Sequence, residues 1–84
     1  GSNHPDLVSI LQNYALVYLE LGKYGKAESM TRRSLKIAEE AYGPNHPNVA
    51  MAVSNLMAIY QKQGKDKEAR SLAKKYEKIG MRQP

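Results

Sequence analysis

The chain of 84 residues has no cysteine, so it can build neither a disulfide framework nor a thiolate metal site. It fits a reducing compartment, with the cytoplasm as the expected location. No apolar run approaches the ~20 residues of a membrane span, and the signal-peptide layout of basic start and apolar stretch is missing. The vocabulary of catalysis is equally thin: there is no cysteine nucleophile, no glycine-rich phosphate loop and no G-x-S-x-G elbow. Asp6, Glu20, Glu39 and Glu40 fall on predicted helix ends or solvent faces. Neither an enzyme nor a bound cofactor is expected. His4 and His46 do not make a metal site, because a site needs three or four convergent ligands and each lies alone at a predicted helix entry, held by the proline after it.

What is present is a repeat. Asn3-His4-Pro5 returns 42 residues later as Asn45-His46-Pro47, and the same register pairs Asn13 with Asn55, Tyr18 with Tyr60, Gly22-Lys23 with Gly64-Lys65, Ala27 with Ala69, Ser29 with Ser71 and Lys36-Ile37 with Lys78-Ile79. That makes eleven identities in the forty aligned pairs from 3/45 to 42/84, without a gap. A fixed period of this size marks stacked supersecondary units. Gly1-Ser2 reads as an expression scar, residues 3–44 as the first unit, 45–80 as the second with a capping last helix, and 81–84 as a tail.

Each unit is punctuated as a helical hairpin. Pro5 and Pro47 suit the first position of a helix, and Gly22, Gly43-Pro44, Gly64 and Gly80 suit its end. Apolar residues recur at three- and four-residue steps. The expected inner faces are Leu7, Ile10, Leu11, Tyr14, Ala15, Tyr18 and Leu21; then Ala27, Met30, Leu35, Ala38, Ala41 and Tyr42; then Val49, Ala52, Val53, Leu56, Met57 and Tyr60; and last Ala69, Leu72, Ala73, Tyr76 and Ile79. The prediction is an all-α fold with helices near 5–21, 24–42, 47–63 and 66–79. Ala15, Ala27 and Ala69 stand where paired helices must approach, and a larger side chain there costs about 1–3 kcal/mol.

Asn13-Tyr14-Ala15-Leu16-Val17-Tyr18, Gly22-Lys23-Tyr24, Ala27-Glu28 and Tyr42-Gly43-Pro44-Asn45-His46-Pro47-Asn48-Val49-Ala50 resemble the 42-residue tetratricopeptide repeat of kinesin light chains and their relatives. The resemblance covers Asn3 to about Ile79. It implies a right-handed α-solenoid fragment of two antiparallel helical hairpins, four helices in all. Departures cluster in the second unit: Met57 stands for Ala15 and Asp66 for Tyr24. Thr31 and Ala73 stand where the general repeat prefers a large aromatic, and Tyr76 where it prefers alanine. The pattern is lost after Gly80, as at the closing repeat of an array.

In such a stack the first helix of each hairpin lines a concave surface. The resemblance implies a non-catalytic protein-interaction module that holds a peptide segment of a partner there. The expected groove residues are Ser9, Gln12, Asn13, Leu16 and Glu20 on the first helix and Met51, Ser54, Asn55, Ala58 and Lys62 on the third. In the repeats this chain resembles, the amide at the place of Asn13 and Asn55 bonds to the backbone of a bound peptide, since it donates and accepts together. The bland alternative is that both asparagines bridge neighbouring helices. Leu16, Leu19 and Met51 read either as pockets for apolar ligand side chains or, with Val8 and Val17, as a surface for a preceding repeat.

The net charge of +5 lies wholly in the second half: residues 45–84 carry eight basic against three acidic side chains, whereas 3–44 carry five of each. Lys67, Arg70, Lys74 and Lys78 form a basic face on the last helix. A solubilised cap is the plain reading, an acidic protein partner the next, and nucleic acid the third, because the aromatic among the lysines, Tyr76, falls on the inner face and is not offered for stacking. A structural spacer without its own ligand is a further alternative. Further expected partners are neighbouring repeats. The fragment itself, with no cap on its first helix, is expected to be a monomer at low concentration and to self-associate or exchange a hairpin about Gly43-Pro44 as concentration rises.

Overall fold

The computed structural model describes residues 4–78, of Lys78 the backbone alone. Four helices follow one another: α1 (Leu7–Glu20), α2 (Tyr24–Tyr42), α3 (Pro47–Lys62) and α4 (Asp66–Lys78). Among the described residues there is no strand. The elements bear out the expected all-α repeat fold. Gly80, Arg82, Ile79 and the tail 81–84 lie outside the described residues.

The two hairpin turns are built alike. Gly22 and Gly64 have φ of +77° and +78°, a conformation in which a Cβ would strain the backbone. In each, the next lysine donates its N–H back across the turn, Lys23 to the Tyr18 carbonyl at 2.8 Å and Lys65 to the Tyr60 carbonyl at 2.7 Å. The glycine N–H groups bond to Leu19 and Gln61 at 3.0 and 3.1 Å. This pair of bonds satisfies carbonyls the helix end would leave orphaned, which explains why Gly-Lys recurs at 22–23 and 64–65. Gly43, φ +85°, ends α2 between the units.

Both helix entries use histidine as an acceptor. His46 is extended (φ −80°, ψ 145°), Pro47 takes the first helical position, and the Asn48 N–H donates to His46 Nδ1 at 3.0 Å. In the first copy the Asp6 N–H donates to His4 Nδ1 at 3.1 Å. There, however, Pro5 and Asp6 form a tighter turn, closed by Leu7 N–H to His4 O and Val8 N–H to Pro5 O, so the regular ladder begins at Leu7, two residues later than expected. The His46 imidazole thus serves as the side-chain cap that Ser, Thr, Asp or Asn usually supplies, whereas His4 braces the turn ahead of α1, whose own N-cap, Asp6, makes no side-chain cap bond. His46 also stacks on Tyr42, ring centroids 4.3 Å apart, tying the end of α2 to the start of α3.

The chain packs in sequence order: α2 lies against α1 and α3, α4 against α3, and α1 only touches α3. Val8, Leu11, Leu35, Ile37, Ala38, Val49, Ala52, Val53, Leu56, Tyr60, Ala69 and Tyr76 form one core. Burying a leucine or isoleucine such as Leu56 or Ile59 contributes about 1.5–3 kcal/mol each. Ala15, Ala27 and Ala69 are buried at the helix crossings, as expected. Thr31, Ser34 and Ile37 are buried too, although only Leu35 and Ala38 nearby read as inner from the pattern. Ser34 earns its place by donating to the Val8 carbonyl at 3.2 Å.

The expected faces need correction on α1 and at the end of α2. Ile10, Tyr14 and Leu21 are exposed, whereas Val8, grouped above with residues awaiting a preceding repeat, is 3% exposed and belongs to the core. Ala41 and Tyr42 are exposed as well. Apolar residues surround nearly the whole of α1, so periodicity alone does not choose its buried side; the position of α2 and α3 does.

Across the unit boundary, polar groups join α2 to the second unit. Glu28 on α2 accepts from Arg32 at 2.9 Å and from Lys65, in the second turn, at 3.4 Å, and Arg32 donates to the Tyr60 hydroxyl. Burial pushes the Glu28 carboxyl up, but the hydrogen bonds and charges of Arg32 and Lys65 outweigh it and hold the group below the ordinary glutamate value. Tyr76 on α4 donates to Glu39 on α2 at 2.7 Å. Burial, then the bond to Glu39 and its charge, raise the Tyr76 hydroxyl well above an ordinary phenol.

Candidate functional site

A depression of about 230 Å³ opens where α1 and α3 run side by side, lined by Val8, Ser9, Gln12, Asn13, Leu16, Asn48, Met51 and Asn55. Six of these were read from the sequence as groove residues. Val8 was read otherwise, and Asn48 was missed because it was taken only as part of the helix entry. The signal was there: Asn48 follows the capping His46 and Pro47, and its backbone N–H is the one that the cap engages. Its side chain is thereby held at the first turn of α3, facing α1.

At the floor, the Asn55 side-chain amide donates to Gln12 Oε1 at 2.9 Å. Gln12 is only 5% exposed, and an amide buried so deeply needs this partner. The bond uses one donor of Asn55 and leaves its carbonyl oxygen and second N–H to other partners. Asn13, its counterpart 42 residues earlier, is exposed and makes no side-chain hydrogen bond among the described residues. The two asparagines therefore differ: Asn55 bridges helices and presents part of its amide, while Asn13 presents all of it. Around them Leu16 and Met51 are 45% and 55% exposed, an apolar pair beside a cluster of neutral amides and one hydroxyl. No charged side chain lines the depression.

The remaining groove candidates fall elsewhere. Glu20, Ala58 and Lys62 are exposed but lie further along the helices. Ser54 lines a second depression, of about 280 Å³, between α3 and α4 with Ala50, Val53, Met57, Ala73, Tyr76 and Glu77. Lys67, Arg70 and Lys74 are exposed on α4, and the side chain of Lys78 lies outside the described residues. A shallower hollow of about 450 Å³ runs along α4, lined by Tyr60, Lys67, Glu68, Ser71, Leu72 and Lys75. It is the largest of the three, yet its ring, Tyr60, is 4% exposed and its rim carries charges of both signs. It gathers no convergent polar groups, and those are what fix a ligand's orientation.

No group of three or more His, Asp or Glu among the described residues could hold a metal ion, and no helix among them is long and apolar enough to cross a membrane. No curated protein matches this sequence. A family model for the tetratricopeptide repeat matches residues 6–80. With two hairpins in register, glycine-ended first helices and small residues at the crossings, the chain belongs to the tetratricopeptide repeat family, a non-catalytic repeat scaffold that generally mediates protein–protein interaction.

Proposed function

We propose that this chain holds an extended peptide segment of a partner protein in the depression between α1 and α3. The observation that carries the reading is the gathering of side-chain amides with exposed apolar side chains at one place: Asn13, Asn48 and Asn55, the last with its carbonyl oxygen and second N–H unused, beside Leu16 and Met51. An extended peptide offers backbone N–H and C=O groups that side-chain amides match, and it places alternate side chains on one face. An engineered apolar cavity of about 150 Å³ admits benzene, so a hollow of about 230 Å³ has room for one bulky side chain against Leu16 and Met51. Because the lining is uncharged, the segment in contact with it is neutral. Acidic residues of the ligand, where present, belong toward Lys62, which is exposed in the last turn of α3.

A peptide selected by display against this chain supplies the test. Asn13→Ala removes an exposed amide and leaves the fold intact, so a loss of affinity of about tenfold, near 1.4 kcal/mol, reports on contact. Leu16→Asp should weaken binding at least as much. Lys74→Glu should change it less than twofold at fixed salt. An affinity insensitive to Asn13 and Leu16, but steeply salt-dependent and abolished by reversal at Arg70 and Lys74, would replace this reading with nucleic-acid or anionic-surface binding through α4.

A further inference from the structure

At the floor of the depression between α1 and α3, one hydrogen bond decides which end of an amide a ligand meets. Asn55 Nδ2 donates to Gln12 Oε1 at 2.9 Å. Gln12 is 5% exposed, whereas Asn55 is half-buried and lines the depression. An unbonded asparagine amide turns about its last side-chain bond and offers oxygen or nitrogen as the ligand requires. Here Gln12 holds the nitrogen. Turning Asn55 alone would set its oxygen against Gln12 Oε1 at the 2.9 Å now spanned by the bond, two acceptors with no proton between them.

The oxygen is therefore the group left for a ligand, the second N–H being carried on the same held nitrogen. Among the described residues, only Thr31 Oγ1 and Gln63 Oε1 are buried without a partner, so the unbonded Asn55 Oδ1 reaches the open side. Asn13, at the same register position, has no such brace among the described residues. It is exposed, makes no side-chain hydrogen bond there, and is free to turn either way.

We infer that Gln12 is a positioning residue that sets the polarity of peptide binding: by holding the Asn55 nitrogen toward α1 it presents the Asn55 oxygen as a fixed acceptor, and the bound segment must place a backbone N–H over it. The inference rests on the peptide reading given above and names the segments that reading admits. A ligand residue over Asn55 cannot be proline, which has no N–H to give. An acceptor placed opposite the fixed oxygen would lose its water without gaining a bond. The residue over Asn13 meets no such restriction, since that amide turns to suit it.

The test uses a display-selected peptide and its amide-to-ester analogues, in which one backbone N–H at a time is replaced by oxygen, with affinities read by calorimetry. Against the wild type, one analogue should bind about tenfold weaker or worse. Against Asn55→Leu, the same replacement should cost less than about twofold. Gln12→Met, similar in length and without the acceptor, should retain helicity by circular dichroism and cut the ester penalty below about threefold, because the released amide turns its nitrogen to the ester. Adding Asn55→Asp, an acceptor on both arms, to Gln12→Met should restore the tenfold penalty, which a merely structural role for Gln12 would not do. One measurement needs no variant: by NMR, one of the two Asn55 side-chain amide protons should exchange slowly with water both free and peptide-bound.

An ester penalty equal in the wild type and Gln12→Met overturns the role of Gln12, as does fast exchange of both Asn55 protons in the complex. So does the absence of any ester penalty that depends on Asn55, the result expected if both amides turn together and Asn55 offers its donors instead. These results leave the peptide reading standing where affinity still falls with Asn13→Ala and Leu16→Asp. Indifference to both of those changes sinks that reading, and this inference with it.

Discussion

The two ends of this stack treat the same structural problem in opposite ways. At the α1 end, register positions that are buried in the second unit carry Ile10, Tyr14, Val17 and Leu21 in the open. At the α4 end, the register counterparts of positions buried in the first unit hold different residues. Val8, Leu11, Gln12, Ala15, Thr31, Ser34 and Leu35 are all buried. Their counterparts Ala50, Val53, Ser54, Met57, Ala73, Tyr76 and Glu77 instead surround the open depression between α3 and α4. Met57 and Tyr76 are larger than Ala15 and Ser34, Ser54 and Glu77 are exposed, and the Tyr76 hydroxyl is fixed by Glu39. Among the described residues the α1 end is an uncovered apolar stripe, and the α4 end is a depression of mixed lining.

The sharpest break in this comparison comes from truncating register partners. Leu56→Ala, at a site 2% exposed, should cost about 2–5 kcal/mol, enough to unfold a small stack. Tyr14→Ala at the equivalent position should change the stability of the monomer by less than about 0.5 kcal/mol. Chemical denaturation at low protein concentration separates the two, and similar costs would mean that the two faces are not different.

Tyr76→Phe tests the hydrogen bond that ties α4 to α2. Losing a hydrogen bond to a carboxylate should cost about 1–2 kcal/mol, with a pH signature besides. Because the folded-state value of this hydroxyl is raised, its contribution is complete below the ordinary phenol value near 10.0 and fades as pH rises beyond it. The wild type should lose more stability than the variant on going above that pH.

Glu28→Gln acts at the boundary between the units and should cost about 0.5–1 kcal/mol at neutral pH. The Glu28 carboxyl is held below its ordinary value near 4.5, so its share is present above that pH and disappears as the pH falls through the lower folded-state value. Acid titration of stability should therefore be flatter in the variant below pH 4.5. Effects of similar size are expected at the helix entries. His46→Ala removes a cap and a stacked ring and should cost about 1 kcal/mol, and His4→Ala less, since the His4 side chain is 59% exposed. Thermal melts of the two single variants give the order.

Most of the fold was legible because the repeat supplies each signal twice. A Gly-Lys pair ending two first helices and a His-Pro pair opening two hairpins bound the elements to within two residues. On α2 and α4, polar residues outnumber apolar ones, so the few apolar positions such as Ala27, Leu35, Ala69 and Tyr76 identify the inner side. On α1 the same reading failed for Ile10, Tyr14 and Leu21, since burial there depends on which neighbours exist and apolar residues extend well beyond one face. The candidate site was legible as far as residue type and helical stripe could carry it, which gathered Ser9, Gln12, Asn13, Leu16, Met51 and Asn55. What the stripe could not convey is the asymmetry between the asparagines. Asn55 has a helix, α1, to bridge to through Gln12, and Asn13 has none on its side among the described residues. Nor could it separate Ser54, which the turn of α3 carries to the α4 side.

The central claim, that the depression between α1 and α3 holds a partner's peptide, is tested most directly by amide and methyl NMR of the chain titrated with a display-selected peptide. The account predicts saturable shifts concentrated at Ser9, Asn13, Leu16, Asn48, Met51 and Asn55, with α4 unaffected. Shifts confined to Lys67, Arg70 and Lys74, with the α1–α3 resonances unmoved, would contradict it.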